Sequence, residues 1–331
     1  MFRYLIRRLL WALVLFFATT IVTFIIFYAV PVDPARTICG QRATPECVHR
    51  AEIFLGTNKP IYYQYYKFVY RLFPFSFAGG FHFHEPSLGR SFTSRLSVNY
   101  VVGQAAPVTA SLVFGGAILW MLIALPVGIL SALRPRSLLD RFAMVGVLVG
   151  ISAHPVWIGL IFAYFFGFKL GWFPITNYCN FFNATGECGG PVQWAYHLVL
   201  PWCTFAILFA ALYVRMIRAN VMEALNEDYV RTARAKGAPE WLVMRSHVLR
   251  NALLPVVTML GMDIGLALGG AIFTETVYGL SGLGKTAINA IANFDLPTVQ
   301  GVVVFATICI IVFNLAVDLL YAVIDPRIRL S

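Results

Sequence analysis

The sequence predicts an all-α integral membrane protein with six spanning helices, and three observations carry that prediction. Of its 331 residues, 59% are hydrophobic and only 12% charged, whereas a soluble domain carries about 25% charged residues. Six apolar runs, at residues 9–30, 102–133, 142–168, 197–217, 256–277 and 298–324, each approach or exceed the roughly 20 residues that a spanning helix needs. Arg and Lys are divided unequally between the loops joining these runs, as they are in a multi-pass protein with a fixed orientation.

Taken in order, Arg3, Arg7 and Arg8 precede the first run, which lacks the small-residue cleavage site of a signal peptide. Residues 1–30 therefore read as a cytoplasmic N-terminus and a retained first helix, 31–101 as an external segment, and 102–331 as the core. The second and third runs are long enough to tilt, and the fourth is interrupted by polar residues. Pro126, Pro155 and Pro201 lie in or beside runs, where neighbouring helices can satisfy the freed carbonyls. Arg134, Arg136 and Arg141 occupy one short loop, Arg231, Arg234, Lys236, Arg245 and Arg250 another, and Arg327 and Arg329 the tail. The opposite loops, 169–196 and 278–297, hold only Lys169 and Lys285. This asymmetry places both termini in the cytoplasm. The net charge of +10 then reflects topology and requires no nucleic-acid partner.

Four cysteines, Cys39, Cys47, Cys179 and Cys188, fall in external segments, where disulfides form. Three connectivities are open; Cys39–Cys47 and Cys179–Cys188 are favoured because each pair is local. The external stretch IYYQYYKFVYRLF, from Ile61, reads either as a cap over the bundle or as an amphipathic helix lying in the membrane interface. In FHFHEP, His82 and His84 with Glu85 offer metal-ligand chemistry, but no full set of four ligands surrounds the two histidines, so no metal is assigned.

Gly279-x4-Gly284-Lys285-Thr286 matches the phosphate-loop pattern letter for letter. Such a loop works between a soluble strand and helix, whereas this one joins two apolar runs on the external side. A nucleotide site is therefore rejected. The longest polar segment between spans on the cytoplasmic side is residues 218–255. In it, TARAKG and PEWLVMRSHVLRN read as two short helices broken at Gly237-Ala238-Pro239. Arg234 and Lys236 beside small Ala233, Ala235 and Ala238 suit a helix that docks into a groove. Within the spans, Asp263, Glu275, Asp318 and His154 are costly groups that usually face a bundle interior or a water path; Asp263 is the best pathway candidate, whereas Glu275 and Asp318 read as structural groups near helix ends. Asp263 stands among Gly261, Gly265 and Gly269, whose spacing makes a smooth face for close helix approach. An intramembrane hydrolase using Asp263 and Asp318 needs the two carboxylates together, which nothing in their spacing enforces. A secondary transporter needs matching halves, and no such repeat is present.

Several motifs, in order, resemble the permease subunit of bacterial ATP-binding-cassette importers, in the dipeptide, oligopeptide and nickel branch. The residues that carry this resemblance are RRLLWALVLFFATTIVTFIIFYAVPVDPA, LGRSF, LPVGILSALRPRSLLDR, EALNEDYVRTARAKG…HVLRNALLPVVT, ETVYGLSGLGKT and NLAVDLLYAVIDPRIR. Val32 stands where the branch has glycine, and Lys285 where it has arginine. The resemblance implies a six-helix permease bundle in the bacterial cytoplasmic membrane that imports di- or oligopeptides. It implies that 218–255 is the family's EAA-type loop, whose coupling helix, here Thr232, Ala233, Arg234, Ala235, Lys236, Gly237, Ala238, Pro239, Glu240 and Trp241, docks on an ATPase subunit. Counted from Gly237, Arg231-Thr232-Ala233 stands where the general pattern has Glu-Ala-Ala. His247, Leu249 and Arg250 stand where Ile, Leu and Pro are expected; the missing glutamate and proline are also missing in the peptide branch. The implied partners are a second homologous permease, two ATPase subunits or domains and an extracytoplasmic solute-binding protein, with membrane lipid around them. ATP and magnesium belong to the ATPases, and this chain holds no cofactor and no catalytic residue. Asp263, Gly265, Gly269 and Glu275 are the expected pathway residues.

Overall fold

A computed structural model describes residues 2–29, 39, 44–55, 59–73, 75–76, 82–83, 86–182 and 188–324. Among the described residues the elements are helices and one hairpin of two-residue strands, β1 (Phe75–Ser76) with β2 (His82–Phe83). The side chain of His82, together with His84, Glu85 and the tail arginines, lies outside the described residues.

Helix α1 (Phe2–Ala29) carries the first apolar run. After α2 (Pro45–Leu55), α3 (Ile61–Leu72) returns along α1. The Tyr65 hydroxyl lies 3.1 Å from Thr20 Oγ1, and Tyr65 and Phe68 pack on Phe24. Phe73, just beyond α3, stacks on Phe17. These α1 residues lie inside the apolar stretch Ile6–Ile26, so α3 packs lengthwise against the side of the first span.

Helices α4 (Val98–Leu133) and α7 (Pro191–Leu225) form the centre of the bundle and run in the same direction. Trp194 and Trp202 both reach Ser111 near the start of α4, and Gly128 near its end meets Ile217. A Cβ at Gly115 or Gly116 would strike Trp202 or Phe205, so the small residues set how closely the two helices pack. Between them lies an aromatic core of Trp120 with Phe205, Phe209 and Tyr213, at ring-centroid distances of 5.8, 4.6 and 5.9 Å. The polar residues expected to interrupt the fourth run do not: α7 is one unbroken helix of 35 residues, with Pro201 buried inside it.

Two spans expected to be continuous are broken. The third consists of α5 (Leu138–Ser152) and α6 (Pro155–Lys169), bent by 104°. The cause is local: Pro155 offers no N–H, and His154 caps the new helix by accepting from the Val156 N–H. The fifth run opens with α10 (Leu254–Ala267), preceded by α9 (Glu240–Ala252) at 45°. It stops at Gly269-Gly270, where Gly270 has φ of +134°, a conformation that side-chain-bearing residues avoid. Residues 272–277 then form a separate short helix, α11 (Ile272–Val277), followed by α12 (Leu283–Ala292) and α13 (Leu296–Ile324). Among the described residues, four helices are long and apolar enough to cross a membrane, or up to six spans when each bent pair counts as one.

Contacts between neighbours fix an alternating course. Gly150 of α5 meets Ala211 of α7, Gly261 of α10 meets Val317 of α13, and Gly301 of α13 meets Val98 of α4. Arg8, at the start of α1, pairs with Asp318 near the end of α13 at 2.7 Å. The start of α1 and the end of α13 therefore share one end of the bundle with the turn at 134–137 and the segment 226–253. At the opposite end, Cys179 and Cys188 are disulfide-bonded across nine residues; Cys39 and Cys47 form the second bridge across eight.

Candidate functional site

At the first end, α8 (Asp228–Ala235) and the start of α9 make a helical hairpin. The underside of α8 is apolar and anchored, with Val230 and Ala233 buried in the main core. Gly237 adopts φ of +83°, which lets its N–H reach Arg234 O at 2.9 Å and the Ala238 N–H reach Ala233 O at 3.2 Å. This closes the helix end as a left-handed residue after a C-cap does. Pro239 then opens α9, and Arg234 grips Glu240 across the turn through Nε–Oε1 (2.8 Å) and Nη2–Oε2 (3.2 Å). Of Thr232 through Trp241, only Ala233 is buried and only Ala238 half-buried; the others are exposed. Trp241, 65% exposed, stands beside this row of charges. The hairpin is tied back to α7 by the Asn220 side-chain amide, which donates to Ala252 O at 3.2 Å.

Beneath the hairpin is an ion pair that the sequence reading missed. Arg218 of α7 donates Nε to Asp140 Oδ1 (2.7 Å) and Nη2 to Oδ2 (2.9 Å). The same carboxylate accepts from the Ser131 hydroxyl and from the Arg136 N–H (2.8 Å). One buried carboxylate thereby fastens the α4–α5 turn to α7. The arginines of this loop were read only as topology markers. An acidic residue inside a basic loop, with an arginine late in an otherwise apolar span, was the signal available.

At the other end, Gly279–Thr286 folds as a turn into α12, and the anion at that helix N-terminus is the chain's own. Glu275 is fully buried. Its Oε1 accepts from Thr109 Oγ1 at 2.7 Å and its Oε2 from the Lys285 N–H at 2.9 Å. Thr109 Oγ1 in turn accepts from the Leu283 N–H at 2.8 Å. A Cβ on Gly282 would overlap the carboxylate. The glycines and helix N-terminus that suit such a motif to phosphate here hold a glutamate. Nearby, Asp295 accepts from the Phe92 N–H (2.9 Å) and Thr298 Oγ1 (2.8 Å), pinning the LGRSF segment to the start of α13.

The expected pathway residues separate into two groups. Gly265 and Gly269 face α13, where a Cβ would lie 3.2 Å from Phe313 Cβ and 3.0 Å from Ala306 Cβ respectively, and Glu275 is enclosed as above. Asp263 is half-exposed and does not face α13; its Oδ2 accepts from the Tyr213 hydroxyl at 2.6 Å. His154 is exposed at the α5–α6 break and meets Phe273 edge-on at 5.0 Å. Because Asp263 bonds Tyr213 while Asp318 bonds Arg8, the two do not share a proton as a hydrolytic dyad must.

An α-helical multi-pass bundle, with broken spans and a charged helical hairpin held out at one end, is the body of a membrane transport permease. The chain belongs to the family of binding-protein-dependent transport system inner membrane components, which it matches over residues 124–330, with that family's N-terminal domain matched over 1–113. It is thus a multi-pass membrane transport subunit, of a kind that works with ATPase subunits and substrate-binding proteins. A putative peptide transport system permease of Brucella abortus (strain 2308) is 34% identical over 98% of both chains. A probable D,D-dipeptide transport system permease of Escherichia coli (strain K12) is 36% identical over 98% of this chain and 97% of its own. A dipeptide transport system permease of Alkalihalophilus pseudofirmus is 34% identical over 99% and 100%. Among solved structures, a chain of the inward-facing MetNI methionine ABC transporter superposes with a TM-score of 0.53. That match covers 68% of this chain and 97% of the other at 18% identity, a likeness of fold.

Proposed function

We infer that this chain is one of two related permeases in an ATP-driven importer of di- or oligopeptides. Its termini and the 228–241 hairpin lie in the cytoplasm, and its disulfides lie outside. The observation that carries the reading is the hairpin itself: its apolar underside is locked into the bundle, while Arg231, Arg234, Lys236 and Trp241 are turned outward. A charged, aromatic face on a rigid support is what a docking contact requires. ATP binding would draw two ATPase subunits together and push on this face, and α9 would pass the displacement to α10, directly joined to it. The arginine-rich end supports the orientation, and the peptide permeases among its relatives support the substrate. ATP and magnesium reside on the ATPases.

The test is co-purification of the ATPase subunits with Arg234→Glu/Lys236→Glu. Both side chains are exposed, so the permease should keep its thermal midpoint while captured ATPase falls about tenfold, the scale of a lost interface hot spot. Undiminished capture with normal uptake would refute the coupling assignment.

A further inference from the structure

Four acidic side chains within the spans or at their ends are enclosed by partners, while Glu223, in the last turn of α7, is exposed. Asp140 holds Arg218, Asp318 holds Arg8, Asp295 takes two hydroxyls and an N–H, and Glu275 takes one hydroxyl and backbone N–H groups. Asp263 differs. Among the described residues its only hydrogen bond is the one from Tyr213 to Oδ2, which leaves Oδ1 open.

Its position on α10 explains what the open oxygen faces. Gly261, Gly265 and Gly269 occupy one side of the helix and pack on α13. On the other side Met259, Asp263 and Leu266 form an i, i+4, i+7 row with Met262 beside it. Met259, Met262 and Leu266 are 43%, 54% and 68% exposed. A carboxylate in the middle of an exposed row within a span is incompatible with lipid and marks a water-filled path or a bundle interior. Tyr213, 1% exposed and packed against Trp120, cannot follow a moving partner. It therefore holds the carboxylate pre-oriented, which lowers the ordering cost of binding.

We propose that Asp263, oriented by Tyr213, is the cation-binding point of the translocation pathway and takes the free α-ammonium group of the peptide. This rests on the peptide reading above. A peptide importer must hold something common to all peptides while tolerating different side chains. An ammonium group meets a lone carboxylate oxygen by a charge-assisted hydrogen bond. The flanking methionines supply the adaptable apolar wall that suits variable side chains.

The experiment uses the whole importer in proteoliposomes, with the binding protein loaded with one radiolabelled dipeptide, and reads peptide taken up per ATP hydrolysed. Asp263→Asn should lower that ratio about tenfold, the scale of one lost charge-assisted hydrogen bond, without changing the thermal midpoint of the complex. Asp263→Glu should recover most of it. As a second readout, the thiol of Asp263→Cys, with Cys203 and Cys309 replaced by serine, should react faster with a cationic than with an anionic methanethiosulfonate, and added dipeptide should protect it. Wild-type uptake with an unchanged ratio in Asp263→Asn would overturn this inference alone. A wild-type importer that carries no peptide would overturn the peptide reading itself. Loss of the second permease from Asp263→Asn, or an unreactive thiol in Asp263→Cys, would assign the carboxylate to a structural contact and refute the proposal.

Discussion

Two glycine-hinged, lysine-bearing turns sit at opposite ends of the bundle. Around Gly279–Thr286 the donors are consumed internally: Thr109 and Glu275 take the N–H groups of Leu283 and Lys285, and no space is left over Gly282. Around Gly237 the backbone is also closed on itself, yet the side chains of Arg234, Lys236, Glu240 and Trp241 point away from the body. The first turn has the letters of a ligand site and no room for a ligand. The second has no such signature and presents a surface. What a turn can bind depends on which of its donors the fold has already used.

The sharpest way to break this comparison is to remove the internal anion. Glu275→Ala leaves the Thr109 hydroxyl and the Lys285 N–H buried without an acceptor, at about 1–3 kcal/mol each. A fall in stability of about 2–6 kcal/mol should appear as a marked drop in the thermal midpoint of the detergent-solubilised chain and as poor membrane yield. Glu275→Gln, which can still accept from one donor, should fall less. An undisturbed melting curve for the alanine variant would show that the turn does not depend on its carboxylate.

A much smaller effect is expected at the other turn. Arg234 and Glu240 are well aligned, but their side chains are 41% and 69% exposed, and such pairs contribute less than about 1 kcal/mol. Glu240→Ala should leave the melting curve within error, and raised salt should erase any difference. A shift comparable to that of Glu275→Ala would mean that the hairpin is stabilised by its charges rather than by the apolar contacts of Val230 and Ala233.

Much of this was legible in the sequence, and the limits have physical causes. Hydropathy located the four long spanning helices because lipid demands apolar length, and short separations suggested both disulfides. Hydropathy says nothing about direction, however, so the bend at His154-Pro155 and the stop at Gly269-Gly270 were invisible inside unbroken apolar runs. The hairpin was visible because glycine and proline punctuate a polar stretch. Pairing across the bundle was not: Thr109 and Glu275 are 166 residues apart, and Asp140 and Arg218 are 78 apart. Glu275 and Asp263 are acids in one apolar run, and the sequence favours Glu275 as the structural one from its place near a helix end but shows no partner for it. Only packing separates the enclosed carboxylate from the open one.

The most direct test is photo-crosslinking of the assembled importer with a labelled azido-ATP. With the Gly279–Thr286 turn filled by Glu275, all label should fall on the ATPase subunits and none on this chain. Label on this chain that disappears with Lys285→Ala would contradict the account.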